Sequence, residues 1–126
     1  MSAVRVVLVD DNPDFVGTAA DFMAQDPGIE IVGLATSGER ALELVAAHQP
    51  DLVVMDLAMP GMGGLEAARR LKACRPAPLV IILSLHDDEA YRRRSRQAGA
   101  DGFIAKSEFG EKLLPLIHRL STKQAA

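Results

Sequence analysis

Five polar residues stand where apolar segments of the sequence end. Asp10 and Asp11 follow the run VRVVLV, and Asp56 follows LVVM. Ser84 closes the run LVIIL, and Lys106 follows GFIA. Asp56 has no lysine or arginine within six positions on either side, so the group that balances its charge must be distant in sequence or come from solution.

Three carboxylates meet if the runs that end at Asp10-Asp11 and at Asp56 are neighbouring strands. Two carboxylates about 4 Å apart repel by roughly 4 kcal/mol at an effective dielectric constant of about 20. A divalent cation compensates this repulsion, and oxygen ligands without nearby His or Cys favour Mg²⁺ over zinc. Lys106 and Ser84 add the groups that suit a phosphoryl group attached to a carboxylate. A carboxylate can act as the nucleophile in such a transfer and form an acyl phosphate.

Each residue also has an ordinary structural interpretation. An acid after a strand usually caps a helix or forms a turn, Ser84 can cap the helix that follows it, and Lys106 can be a solvated lysine. Asp56 fits a turn poorly, because Pro60 and Gly61 come too late for it to be the turn residue. The occurrence of all five polar residues at the ends of predicted strands favours a common site.

The apolar runs indicate a parallel sheet. The first, third and fourth are almost continuous Val, Ile and Leu, which is typical of strands buried on both faces. Segments with helical spacing separate the runs, and right-handed crossovers place such helices on both sides of one sheet. We therefore expect an α/β fold of five strand–helix units, (βα)₅, with strands at 4–9, 29–35, 52–57, 79–83 and 102–105.

Helix signals lie between the strands. Asn12 and Pro13 suit the cap and first position of the first helix, and TSGE at 36–39 resembles a capping box for the second. Pro115 predicts either a late start or a bend in the last helix. The fourth segment, 87–98, has four arginines and little apolar surface, so we expect a loosely held helix whose arginines form a solvated face or a partner surface. The second helix should bury these residues: Ala41, Leu42, Val45 and Ala46.

Length and composition indicate one domain. The 126 residues suffice for a single domain over 1–126, with a frayed tail at 121–126. A net charge of −3 disfavours direct binding of nucleic acid by this chain. Cys74 is the only cysteine, which excludes an internal disulfide and a thiolate metal site. No apolar run approaches the roughly 20 residues of a membrane span and no secretory signal is recognised, so we expect a cytoplasmic protein without membrane contact.

The motifs resemble those of response-regulator receiver domains of two-component signalling. The matching segments are LVDDNPDF (8–15), DLVVMDLAMPGMGGLEAARRLK (51–72), VIILSLHDD (80–88) and AGADGFIAKS (98–107). The likeness spans essentially the whole chain and is greatest to the NarL/LuxR class, whose members usually carry a C-terminal helix-turn-helix. It implies a flavodoxin-like doubly wound sheet with strand order 2-1-3-4-5. Nothing after Leu120 resembles a DNA-binding module, so we expect no effector domain in this chain.

The resemblance implies a phosphoacceptor with a magnesium site. Asp56 would accept a phosphoryl group from the phosphohistidine of a sensor histidine kinase or a phosphotransfer protein. Asp11, Asp56 and the backbone carbonyl of Ala58 would bind Mg²⁺ directly, and Asp10 would act largely through a metal-bound water. Lys106 would pair with the phosphoryl oxygens. The chain would then be a signalling protein, not an enzyme, that assists its own phosphorylation and dephosphorylation.

The resemblance also implies a switch. Ser84 would move to hydrogen-bond the phosphoryl group, and Phe103 would be the aromatic residue that rotates inward with it. Output surfaces of the family are commonly built from the fourth helix, fifth strand and fifth helix, so we expect 87–120 to contact an effector or a second copy of the chain. Regulation of transcription through an effector domain is the output this class implies.

Two positions depart from the family's pattern where the family tunes the lifetime of the acyl phosphate. Ala58 has no polar side chain with which to orient an attacking water, and the second position holds His86. We expect slow intrinsic dephosphorylation unless His86 substitutes.

Other functions fit the residues less well. A flavodoxin needs backbone donors for phosphate after the first strand, whereas 10–14 has three acids and a proline. The D-x-D element of haloacid-dehalogenase-type phosphatases and the P-loop motif are both missing. A receiver-like module that acts by interaction alone, without phosphorylation, is the remaining alternative. Such a module would be expected to lack one of the five key residues, and all five are present.

Overall fold

One parallel sheet of five strands organises the chain. The structure is a computed structural model that describes residues 3–59 and 61–125. The strands lie in the order β2-β1-β3-β4-β5, which is the order that the resemblance to receiver domains implies. The elements are β1 (Val4–Val9), α1 (Pro13–Ala24), β2 (Ile29–Ala35), α2 (Gly38–His48), β3 (Leu52–Asp56), α3 (Gly64–Lys72), β4 (Leu79–Ser84), α4 (Glu89–Gln97), β5 (Gly102–Ala105), a 3₁₀ turn (Lys106–Glu108) and α5 (Phe109–Ala125).

Hydrophobic clusters cover both faces of the sheet. Val7, Val53 and Ile82 point to the face covered by α2 and α3, whereas their strand neighbours, such as Val54 and Ile81, point to the face covered by α1 and α5. Because side chains alternate along a strand, burial of both faces requires apolar residues at nearly every position. This is why the central strands read as continuous Val, Ile and Leu.

Two of the five polar residues predicted at strand ends belong to the sheet itself. Asp56 is the last residue of β3 and pairs with Leu83, so β3 ends one residue before the predicted position 57. Ser84 is the last residue of β4 and pairs with Ala105, so β4 ends one residue later than predicted. The ladder therefore fixes the backbone from which two of the site residues project.

Helix α1 begins as the sequence predicts. The side-chain oxygen of Asn12 accepts hydrogen bonds from the N–H groups of Asp14 (3.0 Å) and Phe15 (3.4 Å), and Pro13 occupies the first turn. The cap satisfies two amides that the helix cannot pair internally.

Helix α2 departs from the prediction in its cap and its inner face. Ser37, and not Thr36, is the cap, and its Oγ accepts from the N–H of Arg40 at 3.1 Å. Leu44 is buried and Ala46 is exposed, so the expectation that Ala46 faces inward is wrong. Ala41 with positions 44 and 45 already forms the i, i+3, i+4 stripe, and position 46 lies about 100° further round the helix.

The last two helices differ in how firmly they pack. All nine residues of α4 are described, and of these only Ser95 is buried. Helix α5 begins at Phe109, so the alternative of a late start at Pro115 is wrong. It runs to Ala125, whereas the sequence predicts a frayed tail from position 121, and Ala126 lies outside the described residues. No described helix is both long and apolar enough to cross a membrane.

Candidate functional site

A cleft of about 350 Å³ opens at the carboxyl ends of the strands, where ligands bind in parallel α/β sheets. The five polar residues that the sequence places at strand ends all line it, together with both positions assigned to lifetime tuning. The lining residues are Asp10, Asp11, Asn12, Asp56, Ala58, Ser84, Leu85, His86 and Lys106.

The three carboxylates converge as expected. One oxygen from each of Asp10, Asp11 and Asp56 lies within 4.8 Å of the others. Asp10 and Asp56 are buried, and Asp11 is exposed. The N–H of Asn12 donates to Asp10 Oδ1 at 2.9 Å, which orients that carboxylate toward the cleft.

Lys106 supplies the positive charge opposite these acids. Its Nζ lies 2.6 Å from Asp10 Oδ2 and 3.3 Å from Asp56 Oδ1. The ammonium group also lies 4.6 Å from the centre of the Phe15 ring, a cation–π contact that restricts the lysine side chain. Burial lowers the pKa of Lys106, but the hydrogen bond that the lysine donates to Asp10 and the charges of both acids outweigh it and raise the pKa, so the lysine stays charged.

Asp56 is a carboxylate with an unusual affinity for protons. Burial, and then the negative charge of Asp10, raise its pKa to about 6, although Lys106 opposes the shift. A buried carboxylate is poorly solvated, so its charged form is disfavoured. Asp56 is therefore mostly ionised at neutral pH and mostly protonated below about pH 6, and only the ionised form is a nucleophile.

The donor set fits a divalent cation. Asp10 Oδ2 is buried, and Lys106 Nζ lies 2.6 Å from it. The same ammonium group lies 3.3 Å from Asp56 Oδ1, so one positive charge is shared by two buried acids. Three carboxylates against one ammonium leave the cleft negative, and an all-oxygen set of this kind suits Mg²⁺.

The loop after β3 brings Ala58 to the cleft. Pro60, part of the Met-Pro-Gly turn, lies outside the described residues, and Gly61 has a φ of +72°. The N–H of Gly64 donates to the carbonyl of Leu57 at 2.9 Å. A Cβ at position 64 would lie 2.3 Å from the backbone oxygen of Asp56, so only glycine allows α3 to start this close to β3. The sequence prediction missed the role of Gly64, although the Gly-Gly pair at 63–64 was an available signal. It also missed the contact of Phe15 with Lys106.

The two residues assigned to the switch lie apart. Ser84 is buried in the cleft, where its Oγ accepts from the N–H of His86 at 3.0 Å. Phe103 does not line the cleft; it packs, half-buried, against the α2–α3 face of the core, with the guanidinium of Arg92 4.7 Å from its ring centre. Asp87 holds that arginine, accepting from Arg92 Nε at 2.7 Å.

Comparison with known proteins identifies the family. The family model described as response regulator receiver domain matches residues 6–118. The chain belongs to this family. Receivers are phosphoacceptor modules of two-component signalling that bind Mg²⁺ at an acidic pocket, and this receiver has an acidic group of three aspartates at the carboxyl edge of its sheet.

Individual relatives agree with the family match. The receiver is 36% identical over 122 residues to the response regulator GacA of Pseudomonas aeruginosa, covering 96% of this chain and 56% of GacA. It is 34% identical over 114 residues to the transcriptional regulatory protein DegU of Brevibacillus brevis, covering 90% of this chain and 48% of DegU. The chain thus spans about half the length of these curated relatives.

A solved structure shares the fold over nearly its whole length. The signal receiver domain of the putative response regulator NarL from Mycobacterium tuberculosis superposes with a TM-score of 0.91 at 31% identity, covering 97% of this chain and 98% of that one. The predicted likeness to the NarL/LuxR class is confirmed.

Proposed function

We propose that this receiver is the phosphoacceptor switch of a two-component system and that Asp56 takes the phosphoryl group. The observation that carries the proposal is the position of Asp56: its carboxylate is buried, ionised at neutral pH and 3.3 Å from Lys106 Nζ in an open cleft. A nucleophile beside a fixed cation is what phosphoryl transfer requires of a protein.

The donor in this proposal is the phosphohistidine of a sensor histidine kinase or of a phosphotransfer protein. An oxygen of Asp56 forms a bond to phosphorus as the phosphorus–nitrogen bond breaks, and the electron pair of that bond returns to the imidazole of the donor. Lys106 neutralises the phosphoryl oxygens. The hydroxyl of Ser84 already accepts a hydrogen bond from His86, which leaves its own proton free to donate to the phosphoryl group.

A magnesium ion completes the charge balance of the site. Asp11, Asp56 and the backbone carbonyl of Ala58 would hold it directly, and Asp10 through a bound water. When bound, Mg²⁺ supplies neutralisation of the charge on the acids and the phosphoryl oxygens. The excess of three carboxylates over the single ammonium group of Lys106 supports this assignment.

The output in this proposal is a change at the surface built from α4, β5 and α5, within 87–120. Ser84 and Phe103 lie on the neighbouring strands β4 and β5, so a shift of the serine toward the phosphoryl group reaches the aromatic ring through one strand pair. We propose that this surface contacts an effector or a second copy of the receiver and thereby regulates transcription, as the name of the relative DegU indicates for that protein. The cytoplasmic location stays a prediction.

Incubation with Mg²⁺ and acetyl phosphate, followed by intact mass measurement, tests the proposal. We expect the mass of one phosphoryl group to be added to the wild type and to Asp21→Asn, a matched change at an exposed acid of α1, but not to Asp56→Asn. An adduct that persists in Asp56→Asn would place the acceptor elsewhere. No adduct with any donor would favour the interaction module that acts without phosphorylation.

A further inference from the structure

His86 is the one described side chain of the cleft with an acceptor atom left without a role. Lys106 and Ser84 face the phosphoryl group in the proposed function, and the aspartates face the metal. The oxygen of Asn12 already accepts two amides of α1, and the remaining lining side chains are apolar. A neutral imidazole can accept a proton from a water molecule that enters the cleft.

Two contacts fix His86 at the rim of the cleft. Its backbone N–H donates to Ser84 Oγ at 3.0 Å, and its ring stacks on the ring of Tyr91, with centres 5.2 Å apart and planes inclined by 16°. The side chain is otherwise exposed, so the stacking is what restricts its ring.

Tyr91 lies in the first turn of α4 and is held there by hydrogen bonds. Its N–H donates to the carboxylate of Asp88 at 3.0 Å, and its carbonyl accepts from the buried hydroxyl of Ser95 at 2.9 Å. The guanidinium of Arg94 lies 5.9 Å from the centre of its ring. The Tyr91 ring therefore moves with α4, a helix in which only Ser95 is buried.

We propose that Tyr91 is a positioning residue that holds His86 at the cleft and so sets how fast the acyl phosphate on Asp56 is hydrolysed. This inference rests on the proposed function. A water oxygen bonds to phosphorus, the bond from phosphorus to Asp56 breaks with its electron pair kept by the carboxylate, and His86 takes the water proton as inorganic phosphate leaves. A partner that displaces α4 then changes the lifetime of the phosphoryl group, because the same contact links both sites.

The test compares rates of phosphoryl loss after acetyl phosphate is removed, followed by intact mass. We expect Tyr91→Ala to slow the loss about 2- to 10-fold, the range of one aromatic stacking contact. Tyr91→Phe keeps the ring and should keep the wild-type rate. Tyr91→Ala should add nothing in a His86→Ala background, and Gln97→Ala, an exposed change on the same helix, should have no effect.

Nuclear magnetic resonance of the histidine ring protons gives a second measurement that needs no phosphorylation. We expect the His86 ring protons to be shifted by the Tyr91 ring in the wild type and in Tyr91→Phe, and to move to the positions of a free histidine in Tyr91→Ala. An unchanged lifetime in Tyr91→Ala, or equal slowing with and without His86, would overturn the role of Tyr91 while leaving Asp56 as acceptor. Failure of the wild type to form any adduct would overturn both proposals.

Discussion

Asp56, the proposed phosphoacceptor, is also a source of instability. Its pKa rises from 3.8 to about 6 on folding, so the folded chain binds a proton more tightly than the unfolded chain. For an acid with a raised pKa, the loss of stability caused by its charge is absent below about pH 4 and complete above about pH 6. At neutral pH the proposed acceptor is therefore charged at a cost in stability.

Replacing Asp56 by asparagine should therefore stabilise the metal-free receiver in a pH-dependent way. We expect the free energy of unfolding to rise by up to about 3 kcal/mol near pH 7.5, with the gain shrinking toward zero as the pH falls to about 4. Urea denaturation in the presence of a chelator measures this. Asp21→Asn, which removes the same charge from an exposed position, should show no such trend. A gain of equal size at both pH values would contradict the assigned pKa.

Substitutions at Ala58 and His86 should change the lifetime of the acyl phosphate in opposite directions. Ala58→Asn adds a polar side chain that can hold a water, so we expect faster loss of the phosphoryl group. His86→Ala removes a proton acceptor, so we expect slower loss. One hydrogen bond of about 1 kcal/mol changes a rate about fivefold, which sets the scale for both variants. Unchanged half-lives in both, measured by intact mass, would show that neither residue acts on the water.

At the scale of elements, the junction between β3 and α3 is the tightest point near the site. A Cβ on Gly64 would meet backbone atoms of Asp56 and Leu57 at 2.3–2.9 Å, and backbone yields less readily than a flexible side chain. We expect Gly64→Ala to lower the free energy of unfolding by about 1–3 kcal/mol. Gly17, inside α1 with nothing within 4 Å of its Cβ position, is the matched control, and Gly17→Ala should stabilise by about 0.5–1 kcal/mol. Equal effects of the two substitutions in urea denaturation would refute the steric reading.

Helix α4 should open more readily than α1. It buries Ser95 alone, whereas α1 buries Val16, Ala19 and Met23. Local opening costs least where few apolar contacts are lost. We expect amides in α4 to exchange with solvent faster than those of α1, and to slow on phosphorylation if Ser84 and its neighbours become ordered. Protection of α4 equal to that of α1 in both states would contradict a loosely held helix.

The strands could be predicted from the sequence because each is a short apolar run bounded by polar or turn residues. Strands β1, β2 and β5 have the predicted bounds. Strand β4 ends one residue later than predicted, because the polar Ser84 still pairs with Ala105, and β3 ends one residue earlier, at Asp56. The inner face of α2 was harder to predict, since Thr36 and Ser37 are both possible caps, and a register that is off by one residue turns the expected inner face by about 100°.

The candidate site followed from the sequence for a different reason. Each polar residue ends its own strand, and parallel strands bring their carboxyl ends to one edge, so topology alone unites Asp10, Asp56, Ser84 and Lys106. Contacts that depend on side-chain direction leave no comparable pattern in the sequence. The lysine over Phe15 and the stacking of His86 on Tyr91 join residues whose proximity only the packed structure determines.

At the scale of the whole molecule, the fold supports a concentrated negative charge at one edge because its core covers both faces of the sheet. The carboxylates repel one another at the expense of the folded state, and their arrangement exists only when the chain is folded. A cation that binds this arrangement must therefore stabilise the entire domain and not the cleft alone.

Magnesium should accordingly raise the melting temperature of the receiver. A ligand at 100 times its dissociation constant adds about 2.7 kcal/mol to folding, which for a domain of this size corresponds to a shift of about 10 °C. We expect MgCl₂ to produce such a shift relative to NaCl of equal ionic strength, because screening acts alike in both while only Mg²⁺ binds the oxygen cluster. Asp11→Asn removes one ligand but keeps the buried acids and should lose most of the shift, whereas Asp21→Asn should keep it. Equal melting temperatures of the wild type in the two salts would show that Asp10, Asp11 and Asp56 do not hold magnesium in the absence of a phosphoryl group.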